Sequence, residues 1–147
     1  MGWIESRIEQ QQRAIERTQT EAELQLRRTR LIAAKGREAW RYLVGTLEMA
    51  VASYRSALPD PENTVTFQFK VLTVLISRTF HPSRTLSAEF DEGAGVIRFE
   101  HVLAGKETSG VLTLAVDAQD DLYFRRNGES GDADWASRVL LEPVLFG

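Results

Sequence analysis

An apolar stripe at helical spacing runs through the first 58 residues, and no proline interrupts it before Pro59. It reads Ile4, Ile8, Ile15, Ala22, Leu26, Ala33, Trp40, Val44, Leu47, Val51, Tyr54 and Leu58. Each step is three, four or seven residues, which keeps these side chains on one face of an α-helix. An unbroken helix of this length would extend roughly 80 Å at about 1.5 Å per residue. The remaining segment, Pro59 to Gly147, is too small to cover such a rod. Part of the stripe is therefore expected to meet another helix, from a second copy or from a different protein.

The stripe is not uniform. From Trp40 to Leu58 it is dense, with Trp40, Leu43, Val44, Leu47, Val51 and Tyr54, and it predicts an ordinary core helix. From Trp3 to Thr29 it is thin, and its seam includes Gln11, Thr18, Gln25 and Thr29. Repeated polar layers suit a helical bundle or coiled coil better than a globular core. The bland alternative is a solvated helix with frayed ends. Gly36 lies between the halves. It can end one helix and begin a second, or it can let a continuous helix approach a neighbour closely. Because the stripe keeps its direction from Ala33 to Trp40, one long helix, straight or kinked at Gly36, is the expectation. The domain organisation that follows is a projecting helical segment over residues 1–35 and a single α+β domain over 36–147.

Leu58-Pro59-Asp60-Pro61-Glu62-Asn63 stops the helix and turns the chain. Beyond it the period changes to two. Thr64 to Phe80 is rich in β-branched and aromatic residues and reads as one long strand, bent or bulged near Val71–Thr73. Alternation then predicts strands at 84–91, 96–103, 111–116 and 122–126, with a hairpin turn at 91–95 and loops at 105–110 and 127–132. Asp132 or Asp134 can cap a last helix that runs to about Glu142, with Pro143 ending it and Val144-Leu145-Phe146 docking as an apolar tail. Short connections between alternating strands mean an antiparallel meander with one buried face. The predicted fold is thus α+β, a long helix and a short C-terminal helix on a meander of four to six strands. The predicted core holds Trp40, Leu47, Val51, Tyr54, Phe67, Phe69, Phe90, Phe99, Leu112, Leu114, Phe124, Trp135 and Leu140.

Composition narrows the classes. With 43% hydrophobic and 27% charged residues, the 147-residue chain has the make-up of a water-soluble globular protein. No apolar run is long enough for a membrane span, and no secretory leader is visible, so a cytoplasmic location is expected. Gly2 and Ser6 fit a loose myristoylation pattern, but a helix starting at Trp3 accounts for the same residues. There is no cysteine and there are two histidines, which removes thiolate chemistry and disfavours a metal centre. No cofactor is implied. The net charge of −3 is unevenly spread: residues 1–42 carry nine Lys/Arg against six Asp/Glu, leaving nine basic and fifteen acidic residues for the rest. A mildly basic rod joined to an acidic body can orient association.

Four groups of residues invite a chemical reading. Arg27, Arg30, Arg37 and Arg41 fall within about a quarter of the helix circumference and could form an anion-binding ridge, though a solvated helix face is the simpler account of them. Asp117, Asp120 and Asp121 lack the spacing and the glycine of a calcium loop and read as a hairpin turn. His101, between Phe99 and Leu103 on the inward face, reads as a core histidine or as the polar group of a ligand pocket. Glu89 and Glu100 can face each other across the 91–95 hairpin. No nucleotide-binding, hydrolase or zinc-protease motif is present.

The function expected from these features is non-enzymatic. The chain would act as an adaptor, chaperone-like subunit or assembly component whose homo-oligomer or protein partner is held along Ile4, Ile8, Gln11, Ile15, Ala22 and Leu26. Two other classes compete: a cup for a small apolar ligand with His101 at its centre, and an accessory protein using the arginine ridge on nucleic acid or an anionic surface. The acidic net charge and the lack of an aromatic RNA-binding strand make nucleic acid the weaker of these.

Overall fold

The computed structural model describes residues 2–57, 65–79 and 82–147. The expected stop at 58–63 and the residues Thr64, Phe80 and His81 lie outside the described residues. Helix α1 runs unbroken through Gly36 from Trp3–Ala57, 55 residues in all. Seven strands follow: β1 Val65–Lys70, β2 Thr73–Arg78, β3 Arg84–Asp91, β4 Val96–Leu103, β5 Lys106–Val116, β6 Leu122–Arg126 and β7 Glu129–Gly131. They form one sheet in sequence order, every pair antiparallel. Helix α2, Ala133–Leu145, closes the chain beside α1 on the same face of the sheet. The architecture is the expected α+β layer, with more strands than the pattern showed.

Two tight turns account for the extra strands, and a third lengthens β5. The long strand expected over 64–80 is two strands, because Val71 adopts a positive φ of 32° and the chain reverses between Lys70 and Thr73. The segment expected as a loop before Val111 is already paired: Ala104 and Gly105 take φ of 51° and 84°, and β5 starts at Lys106 opposite Leu103. The last loop contains β7, folded back on β6 by Asn127-Gly128 with φ of 49° and 82°. Two consecutive left-handed residues make the hairpin turn whose twist suits the flanking strands, and Asn-Gly is its commonest sequence. Register also separates two acids. Glu89 lies opposite Arg98, and Glu100 opposite Ser87, so Glu89 and Glu100 do not face each other.

The core lies between the inner face of the sheet and the two helices. From α1 it takes Trp40, Leu43, Val44, Leu47, Val51 and Tyr54; from the sheet Val74, Ile76, Leu86, Phe90, Ile97, Phe99, Leu112, Leu114 and Phe124; from α2 Ala136, Leu140, Leu141, Val144 and Leu145. Trp40 stacks on Phe90 with ring centroids 5.8 Å apart, and its Nε1–H donates to the Val71 carbonyl at 2.9 Å. Gly36 is buried because the helix passes so close to the sheet that a Cβ there would lie 3.1 Å from Phe90 Cζ.

Three core expectations need correction. Phe69 is exposed, at the turn end of the edge strand β1. Phe67 and Trp135 are only partly buried. Asp132 caps α2 as expected, its carboxylate accepting from the Trp135 N–H at 3.0 Å. Pro143, however, sits inside the helix rather than at its end. A proline removes one helical donor, but Val144 and Leu145 both bury in the core, and that burial carries the helix one more turn. Phe146 is largely exposed and meets Tyr54 only edge-on.

Candidate functional site

The body ends where α1 does not. Residues 2–30 are all exposed, and burial begins at Leu31 and Ile32. The free stretch is about 40 Å long at ~1.5 Å per residue. Along it Ile4 is 56% exposed, Ile8 48%, Ile15 51% and Leu26 50%. Gln11 and Ala22 are exposed on the same stripe. A lone exposed apolar residue is unremarkable, but a row of them on a helix with nothing beneath is an uncovered face. Trp3 and Leu24 add exposed apolar area outside the stripe.

The helix is gripped where it leaves the sheet. Arg27 pairs with Asp120 in the β5–β6 turn, and the Lys35 ammonium donates to the Asp120 carbonyl at 3.3 Å. From the other side, Arg37 Nε donates to Glu92 in the β3–β4 turn. That hydrogen bond, and then the Glu92 charge, hold the Arg37 guanidinium more firmly protonated than usual. Ile32 packs on Gly95 in the same turn. These contacts join the basic rod to the acidic body at both edges. They also divide the arginine ridge: Arg27 and Arg37 have carboxylate partners, while Arg30 and Arg41 have none among the described residues.

The Asp117–Asp121 turn organises itself. Asp117 Oδ1 accepts from the backbone N–H groups of Gln119 and Asp121, each at 2.9 Å. An Asx turn of this kind satisfies the carboxylate with local donors. Among the described residues no three His, Asp or Glu side chains converge as a metal site would require, and no helix is long and apolar enough to cross a membrane.

His101 is buried on the inner face of β4. Its Nε2 lies 2.7 Å from the Leu140 carbonyl of α2. A carbonyl only accepts, so the proton resides on Nε2 and the imidazole donates. The ring meets Phe99 edge-on at 5.4 Å, and the Arg126 guanidinium lies over the other ring of this pair, 5.0 Å from the Phe99 centroid. Gly110, opposite Phe99 on β5, makes room for that ring. The histidine ties α2 to the sheet.

A depression lies on the other side of the sheet. It has a volume of about 730 Å³ and is floored by outward-facing residues, among them Gln68, Leu75, Ser87, Arg98, Glu100 and Val111. His101 is not among them. Alternation places Ser87, Arg98, Glu100 and Val111 on the wet face of the sheet; the curvature that makes the face concave has no counterpart in the pattern. Its floor mixes single apolar and polar side chains with no buried polar group at its centre. Comparison of the chain with protein-family models, with curated proteins and with solved structures finds no match.

Proposed function

We propose that the protein is a non-enzymatic interaction or assembly component that works by presenting residues 2–30 of α1 to another helix. The carrying observation is an exposed apolar stripe on a continuous helix that reaches about 40 Å beyond Leu31, where burial begins. A solvated helix with no role in binding gains nothing from isoleucines at three stripe positions. An isolated helix in water is only marginally stable, and its helicity rises when the apolar face is packed. The grip at Arg27, Lys35 and Arg37 fixes the direction in which the rod leaves the body, as a presented binding element requires. On this reading the body is the platform, and the contact runs along Ile4, Ile8, Gln11, Ile15, Ala22 and Leu26.

The arginine-ridge reading is weaker because two of its four cations are already bound to carboxylates. The ligand-cup reading is weaker because His101 spends its Nε2 proton on the Leu140 carbonyl. Limited tryptic digestion tests the leading reading, since Arg7, Arg13, Arg17 and Arg28 are exposed cleavage sites. Cleavage at these sites is expected to slow as protein concentration rises or a partner is added. Cleavage at the same rapid rate under all these conditions would contradict it.

A further inference from the structure

We infer that the occupant of the projecting helix is a second copy of this chain, packed antiparallel, with Ile4 of one subunit opposite Ala22 of the partner subunit. The inference rests on the reading that residues 2–30 are a contact surface; it adds which partner, which direction and which register.

The seam has a strict 4,3 alternation. Ile8, Ile15, Ala22 and Thr29 recur every seven residues, with Ile4, Gln11, Thr18 and Gln25 four residues ahead of each. This is the repeat of a two-helix interface. The same alternation continues through Ile32, Gly36, Ala39 and Leu43, and there it faces the sheet, because Gly36 lies against Phe90 and Leu43 is buried. Steps of ~100° per residue place every seam residue from Ile4 to Gln25 within about 80° of Gly36. On the same scale Lys35 and Arg37 stand about 100° to either side of it. Those two residues are held by the β5–β6 and β3–β4 turns. The body therefore occupies the arc into which the free seam points.

Direction follows from this. A parallel partner following the seam would run into the body's two turns at the level of Ile32. An antiparallel partner stops short, provided the overlap ends before that point. Pairing Ile4 with the partner's Ala22, Ile8 with the partner's Thr18 and Gln11 with the partner's Ile15 places Gly2 opposite the partner's Leu24, about 12 Å below Ile32. Sliding by one heptad would set Gly2 beside the partner's Leu31, at the edge of the body.

Charge selects the same register. In an antiparallel pair the residues just before Ile8, Ile15, Ala22 and Thr29 flank their equivalents across the seam, and such flanking charges set orientation. These residues are Arg7, Ala14, Glu21 and Arg28. In the register above, Arg7 meets the partner's Glu21, twice by symmetry, and Ala14 meets the partner's Ala14. The heptad slide would instead set Arg7 against the partner's Arg28. Neither Arg7 nor Glu21 has an ion-pair partner in its own chain among the described residues.

The full chain tests this directly, because it has no cysteine of its own. Single cysteines at Ser6, Arg13 and Thr20, all on the side of the helix away from the seam, take nitroxide labels for pulsed-EPR distances between subunits. The expected result is a minimum at Arg13, with Ser6 and Thr20 each separated by about a further 21 Å along the axis. Arg7→Glu is expected to weaken the dimer about fivefold at low salt, and the double exchange Arg7→Glu/Glu21→Arg to restore it. Equal distances at all three positions would overturn the antiparallel arrangement while leaving the projecting helix as the contact surface. A dimer with no measurable coupling at any position would overturn both. A monomer at all concentrations would overturn the second copy as occupant, and the digestion experiment with an added partner would then decide the broader reading.

Discussion

The two halves of α1 share one helix, one stripe direction and almost one length, yet they meet different surroundings. Between Trp40 and Tyr54 the stripe is Trp, Leu, Val, Leu, Val and Tyr, and all of it is buried against the sheet and α2. Between Ile4 and Leu26 it is isoleucine, glutamine, threonine, alanine and a single leucine, and all of it is exposed. The difference lies in the size and continuity of the apolar side chains, not in their period. A sheet needs a wide, uninterrupted apolar face over it. A second helix needs a narrow seam, and polar layers in that seam set register at some cost in stability.

Replacing one stripe residue in each half is the sharpest way to break this comparison. Trp40→Ala removes a fully buried ring, its stacking on Phe90 and its hydrogen bond to Val71; a loss of about 3–5 kcal/mol is expected by denaturant unfolding. Ile15→Ala, under conditions where the chain is monomeric, is expected to change stability by no more than about 0.5 kcal/mol. A comparable loss at both positions would show that the free half is packed. The two helical glycines sharpen the boundary next. Gly36→Val drives a branched side chain towards Phe90 and Leu114 and should cost about 1–3 kcal/mol. Gly45→Ala meets nothing within 4 Å and should stabilise by about 0.5–1 kcal/mol, through helix propensity alone.

The smallest effect concerns the turn that grips the helix. The Asp91 carboxyl is held below the usual carboxylate range, first by the Arg98 guanidinium that donates to it and then by the Ala94 N–H. Folding therefore favours its charged form. That contribution is present above the unfolded carboxylate value of about 4 and is lost as pH falls through the lower folded value. Asp91→Asn is expected to flatten the decline in stability below this range, measured by thermal unfolding against pH. An unchanged slope would remove Asp91 from the account.

The helix, its two halves, the antiparallel meander and most of the core were legible because burial on one face writes a period into the sequence. The Asp132 cap was legible for a similar reason, since a carboxylate before an apolar helix answers free N–H groups. What escaped was turn geometry. Val71 and Ala104 take positive φ in positions where neither residue type announces it, so the sequence pattern at these two reversals is that of a bulge and a loop. Asn127-Gly128 did announce a hairpin, but a three-residue strand is too short to show alternation. Pro143 misled because its local cost is outweighed by the burial of Val144 and Leu145. Of the candidate residues, the stripe could be placed from sequence; the capture of Arg27 by Asp120 and of Arg37 by Glu92 could not, because these pairs are 93 and 55 residues apart.

The claim that joins these observations is that residues 2–30 of α1 are an interface rather than a spare length of helix. Light scattering at tens of micromolar, on the full chain and on its Ile8→Lys/Ile15→Lys variant, tests it most directly. About twice the 16.6 kDa chain mass is expected for the first and the single-chain mass for the second, with the body still folded; an oligomer that survives both substitutions, or a monomer in both cases with no partner bound, would contradict an interface role for this segment.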